Sequence, residues 1–136
     1  MSEWKTRPEE VDQFILEQID SVPHLEALLL IWRNRPKAWP LEIMAKALYV
    51  PVELAGDILR DLTLRGLIEP TSESQREYQY VSSPSEDSLM ELLETTYRRE
   101  LIRVTRMIHA KAPSAVREFA RAFRFTKEKE KDKPKE

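Results

Sequence analysis

Apolar positions recur every three to four residues along most of the chain, and prolines and polar clusters cut that pattern into segments. The first is PEEVDQFILEQI, a short predicted helix with Pro8 in its first turn. Glu9, Glu10 and Asp12 suit its N-terminal dipole, and Val11, Phe14, Ile15 and Ile19 form one stripe. Ser21 is placed to cap a second helix with Pro23 in its first turn. The run LEALLLIW is apolar on nearly all sides, as a central core helix requires, and Pro36 forbids its continuation.

Trp39 and Pro40 are expected to open a third, short helix, PLEIMAKAL, with Leu41, Met44, Ala45 and Leu48 inward. Tyr49, Val50 and Pro51 make the tight turn into a fourth, VELAGDILRDLTLRG, with Leu54, Ile58, Leu59 and Leu62 inward. Gly66 takes the left-handed position that ends it. Leu67 to Glu69 then reads as extended, the polar turn TSESQ follows, and REYQYV alternates as a strand does, giving a two-stranded hairpin. After SSPSE one long helix is expected from Ser85 to about Ala110, with Leu89, Leu92, Leu93, Thr96, Tyr97, Leu101, Val104 and Ile108 at heptad-like spacing. Pro113 and Ser114 break it, and SAVREFARAFRF is a last amphipathic helix. The charge-alternating TKEKEKDKPKE reads as a disordered tail, and no repeat points to a solenoid. The expected division is an N-terminal helix over 1–20, a central unit over 21–83, C-terminal docking or dimerisation helices over 84–125, and the tail over 126–136.

The segment LEALLLIWRNRPKAWPLEIMAKALYVPVELAGDILRDLTLRGLIEPTSESQREYQY, residues 25–80, resembles the winged helix-turn-helix superfamily. The features that carry the likeness are the Leu-Ala rhythm of the third helix, the proline-containing turn, the inward Leu/Ile set of the fourth helix, and RGLIE running into the hairpin. The fold class implied is mostly α, a winged helix-turn-helix with a two-stranded wing, flanked by an N-terminal helix and long C-terminal helices. The long helix after the wing looks like the arrangement of MarR-like and PadR-like regulators, whose C-terminal helices pair two subunits. The resemblance implies a homodimeric transcriptional regulator whose fourth helix enters the DNA major groove while its wing touches the backbone.

Charge complicates that expectation. The 136 residues carry a formal charge of only -2, with 41% hydrophobic and 34% charged residues, enough for one modest core. Residues 1–96, however, hold 9 Lys/Arg against 18 Asp/Glu (9 − 18 = −9), while residues 97–136 hold 13 against 6 (13 − 6 = +7). The outward face of the fourth helix reads Val52, Glu53, Gly56, Asp57, Arg60 and Thr63, with Asp61 at its margin, and Arg60 is its one candidate for a guanine or phosphate. The wing sets Arg76 against Glu69, Glu73 and Glu77. Duplex affinity comes largely from neutralising phosphates, so this face works against it. A carboxylate can accept from cytosine, which makes a single one tolerable. Glu53, Asp57 and Asp61 are therefore also candidates for contact with a protein partner.

Basic side chains sit elsewhere. Arg33, Arg35 and Lys37 alternate with Trp32 and Trp39 in the turn before the third helix, either as a solvated turn whose indoles cover the core or as a nucleic-acid surface. In the last predicted helix Arg117, Arg121 and Arg124 lie on one face and Val116, Phe119, Ala120 and Phe123 on another. Phe119 and Phe123 must be buried against something. The ranked options are the acidic half of this chain or a second subunit, then nucleic-acid phosphate through the arginines, and last an anionic membrane surface.

The exclusions are broad. There is no cysteine, hence no disulfide or thiolate chemistry, and no apolar run approaches the roughly 20 residues of a membrane span. A leader-like start is missing, so cytoplasmic location is the expectation. His24 and His109 are far apart and read as surface or capping residues. With two glycines there is no phosphate-cradling loop, and no GxSxG or HExxH occurs. No cofactor, metal or catalytic activity is expected.

Overall fold

The computed structural model describes residues 7–71, 77–81 and 84–111. Helix α1 (Pro8–Gln18) begins with Pro8 at its first position, and the Arg7 backbone N–H donates to Glu10 Oε1 at 3.2 Å, closing the first turn. Val11, Ile15 and Ile19 are fully buried, so the predicted stripe holds. Helix α2 (Val22–Arg33) is capped by Ser21, whose Oγ accepts the His24 backbone N–H at 3.3 Å. Its Leu25, Ala27, Leu28, Leu29 and Ile31 are all buried, which places it at the centre of the core.

Strand β1 (Trp39–Pro40) corrects the expectation that these two residues open a helix: they pair with the wing, and helix α3 (Leu41–Leu48) starts one residue later with Pro40 as its cap. A proline has no N–H to give a ladder, so it serves at an edge strand and before a helix at once. Tyr49, with φ 59 and ψ 46, ends α3 in the left-handed region, its N–H donating to the Lys46 carbonyl at 3.2 Å. Helix α4 (Val52–Leu64) buries Ala55, Ile58, Leu59 and Leu62. Leu54, expected inward, is exposed, because the i, i+3, i+4, i+7 stripe starts on Ala55. Gly66 has φ 76 and turns the chain into β2 (Ile68–Pro70), as its position suggested.

Strand β3 (Glu77–Tyr80) lies between β1 and β2, antiparallel to both, with Trp39 opposite Tyr78 and Ile68 opposite Tyr80. The two wing strands thus pair as expected, and the sheet gains a third.

The single long helix expected after the wing is two: α5 (Pro84–Arg99) and α6 (Leu101–Lys111), divided at Glu100. Helical hydrogen bonds run across the division, from the Glu100 N–H to the Thr96 carbonyl at 2.8 Å and from the Val104 N–H to the Glu100 carbonyl at 2.9 Å. Leu101, expected in the heptad stripe, is exposed, while Val104 and Ile108 are buried. Helix α6 packs on α1, where the Arg103 guanidinium pairs with Asp12 (Nη1 to Oδ2, 3.0 Å) and with Glu100. The buried cluster runs without interruption from Val11 in α1 through α2, α3 and α4 to Met90, Leu93, Val104 and Ile108.

Candidate nucleic-acid interface

Helix α4 and the wing form a shallow cleft of about 390 Å³, bounded by Gly56, Asp57, Arg60 and Thr63 on the helix and by Pro70 and Tyr78 on the strands. On α4, Val52, Glu53, Asp57 and Arg60 are exposed, while Gly56 and Thr63 are half-buried. The local reason is the core stripe on the opposite side of α4, which fixes the rotation of the helix. Thr63 is half spent already, since its Oγ1 donates back to the Leu59 carbonyl at 2.7 Å. Arg60 is not a free cation: its Nη2 donates to Asp57 Oδ1 at 3.1 Å, one helical turn back.

Asp61 does not share this face. Its Oδ2 lies 2.9 Å from His24 Nε2, and His24 Nδ1 lies 2.6 Å from Ser21 Oγ. His24, read from the sequence as a surface or capping residue, is only 8% exposed. Burial follows from its place in the first turn of the central helix, where the ring must find polar partners on both nitrogens. With Ser21 Oγ accepting the backbone N–H and donating its hydroxyl proton to Nδ1, Nε2–H is left to donate to Asp61. This chain joins α2 to α4. Nearby, Arg65 Nη2 holds both oxygens of Asp20 at 3.0 and 3.2 Å, and Arg65 Nη1 donates to the Glu17 carbonyl at 2.9 Å. Asp20, His24 and Asp61 are, among the described residues, the one set close enough to share a metal ion, with ligand atoms within 4.8 Å. Each already has a protein partner, and together they tie the start of α2 to the end of α4.

In the turn before α3, the Arg35 guanidinium lies 4.5 Å from the centre of the Trp32 ring and the Lys37 ammonium 4.9 Å from that of Trp39. Both indoles are buried and both cations exposed, so the tryptophans cover the core and hold two positive charges over it. Arg33 pairs instead with Glu94 of α5. Arg76, Arg117, Arg121, Arg124, Phe119 and Phe123 lie outside the described residues.

Tyr49, placed by the sequence in the turn between α3 and α4, is 94% exposed at its tip. A tyrosine in the left-handed conformation was not legible from its neighbours. A second cleft of about 410 Å³ separates α2, the end of α3 and α5, where the Tyr97 hydroxyl donates to Glu26 Oε2 at 3.0 Å. Burial first, and the Glu26 hydrogen bond and charge next, push the Tyr97 phenol up to about 12.

No family model matches the chain, and no curated protein does. Among solved structures, the crystal structure of MepR, a transcription regulator of the Staphylococcus aureus multidrug efflux pump MepA, is similar to it with a TM-score of 0.52. The identity is 16%, and the match covers 90% of this chain and 87% of that one. The fold is a winged helix-turn-helix. In winged-helix terms α3 and α4 are the helix-turn-helix pair, and β2 and β3 are the wing. The winged helix-turn-helix with flanking helices expected from the sequence is borne out at the level of fold, since a match over 90% of the chain extends past the winged unit. Among the described residues no helix is long and apolar enough to cross a membrane.

Proposed function

We propose that this chain is a non-enzymatic winged-helix regulator that works in transcription by binding duplex DNA as a homodimer. The observation that carries the reading is the likeness to MepR over 90% of the chain, flanking helices included. An exposed reading helix beside a wing supports it, as do the two apolar side chains, Leu101 and Ile102, that α6 leaves on the surface for a second copy. The affinity comes from outside the face of α4: from Arg35 and Lys37 on their tryptophans, and from Arg76, Arg117, Arg121 and Arg124. A protein of this kind neutralises phosphates with its periphery and reads bases with its centre.

A second reading is favoured by the ion pairs. Arg33, Arg60, Arg65, Arg98 and Arg103 are all engaged by carboxylates, and Glu53 and Asp57 stand exposed on α4. A winged helix with this face serves equally as an adaptor that contacts a basic protein, with Phe119 and Phe123 as apolar anchors.

Fluorescence anisotropy of a labelled mixed-sequence duplex decides between them. The full chain and a variant with Arg117, Arg121 and Arg124 replaced by Gln are titrated at low and moderate salt. Binding that falls steeply with salt and weakens in the variant supports DNA. No binding by the full chain at low salt defeats the DNA reading and leaves the adaptor.

A further inference from the structure

The paired Asp57 and Arg60 present one exposed recognition unit. They sit one turn apart on α4, joined at 3.1 Å, with side chains 58% and 67% exposed. They open onto the cleft between α4 and the wing, and no other hydrogen-bonded partner occupies Arg60 among the described residues. Gly56 borders the same cleft. A Cβ there would meet only Leu41 Cδ1, at 3.9 Å, so the packing of α3 on α4 does not demand a glycine. Glycine inside a helix is less favourable than alanine. Its presence on this face suits the close approach of something to α4.

We infer that Asp57 and Arg60 together read a single G·C base pair in the major groove. This rests on the DNA-binding reading above. While one N–H of Arg60 stays on Asp57 Oδ1, its remaining N–H groups are a fork of donors, and Asp57 Oδ2 is an acceptor beside them. Across the groove the unit therefore presents donor, donor, acceptor. A G·C pair presents the complement, with acceptors at guanine N7 and O6 and a donor at cytosine N4. An A·T pair presents N7, then the N6 amine, then O4. It sets a donor against the Arg60 fork and an acceptor against the carboxylate.

The charge of the reading helix follows from this arrangement. Asp57 cancels most of the attraction of Arg60 for phosphate, so the unit adds little to general affinity and its effect is on discrimination. A carboxylate is tolerated on α4 because it faces a cytosine amine at the base edge.

The test selects duplexes from a random-sequence library with the full-length protein. It then measures affinity for a selected duplex and for versions altered at single G·C pairs. One pair should be sensitive, with exchange for A·T weakening binding roughly 5- to 150-fold. At that pair, pyrimidin-2-one in place of cytosine deletes only the N4 amine and 7-deazaguanine deletes only guanine N7. The first change should cost the wild type roughly tenfold and leave Asp57→Ala indifferent. The second should cost both proteins and leave Arg60→Gln indifferent. Circular dichroism of the variants verifies folding, and Asp57→Leu, which is close in size and carries no acceptor, serves if Asp57→Ala loses helix. Equal loss by wild type and Asp57→Ala on removing the N4 amine overturns the inference, as does a selected site with no sensitive G·C pair. In either case duplex binding itself stands. Failure of the wild type to bind any duplex at low salt overturns the inference together with the functional reading beneath it.

Discussion

Replacing Tyr49 by glycine should stabilise the protein, although it deletes a whole aromatic side chain. Tyr49 sits at φ 59 and ψ 46, where a side chain crowds its own backbone at a cost of roughly 1–2 kcal/mol. With the residue 94% exposed, almost no buried area is lost when the ring goes. Glycine brings back about 0.5–1 kcal/mol of unfavourable chain entropy, because its unfolded state is freer. The difference is a gain of about 0.5–1 kcal/mol, or roughly 2–4 °C in Tm for a chain of this size. Urea denaturation followed by far-UV circular dichroism measures it from the midpoint at constant slope. Tyr49→Asn, which tolerates the left-handed region better than tyrosine, should fall between the two. A lower midpoint for Tyr49→Gly would refute the reasoning, since the ring would then be making contacts worth more than the backbone strain it imposes.

Gly56→Ala should raise stability by about 0.5–1 kcal/mol in the same assay while weakening duplex binding, because the added methyl fits against Leu41 but intrudes on the cleft. For the His24 to Asp61 link, each alanine substitution should cost about 1–2 kcal/mol. A double-mutant cycle in urea should show coupling of about 0.5–1.5 kcal/mol, and additive losses would mean that the 2.9 Å contact does not form. The Tyr97 phenol, raised from 10.0 to about 12 by burial and by Glu26, is favoured neutral in the folded state. Its contribution is complete below pH 10 and is lost as pH rises to about 12, so denaturation midpoints of the wild type should fall more steeply across that window than those of Tyr97→Phe. Parallel curves would remove the Glu26 interaction. Arg103→Met should cost no more than about 1 kcal/mol, less in high salt, since the Asp12 pair is largely exposed.

Much of this architecture was legible in local chemistry. Helices announce themselves through stripes such as Val11, Ile15 and Ile19, through the Ser21 cap and through prolines at first turns, and Gly66 marks a turn because few other residues take φ 76 easily. These signals involve neighbours within a turn or two, so a single sequence contains them. The outward face of α4 was likewise readable, and with it the unusual set Glu53, Asp57 and Arg60.

Contacts between distant segments were not. Trp39 and Pro40 become a strand only because Tyr78 and Glu77 lie beside them, 37 or more residues later. Arg103 is tied to Asp12 because α6 packs on α1, and nothing within residues 85–110 records the position of Asp12. His24 is buried because Ser21 and Asp61 satisfy both its nitrogens, and the second of these is 37 residues away. Composition and periodicity by themselves determined most of the helices, the turn and the charge on the outward face of α4. Tertiary packing decided which of those charges remain exposed and which are paired, because burial and ion pairing are properties of two surfaces and a linear pattern describes only one.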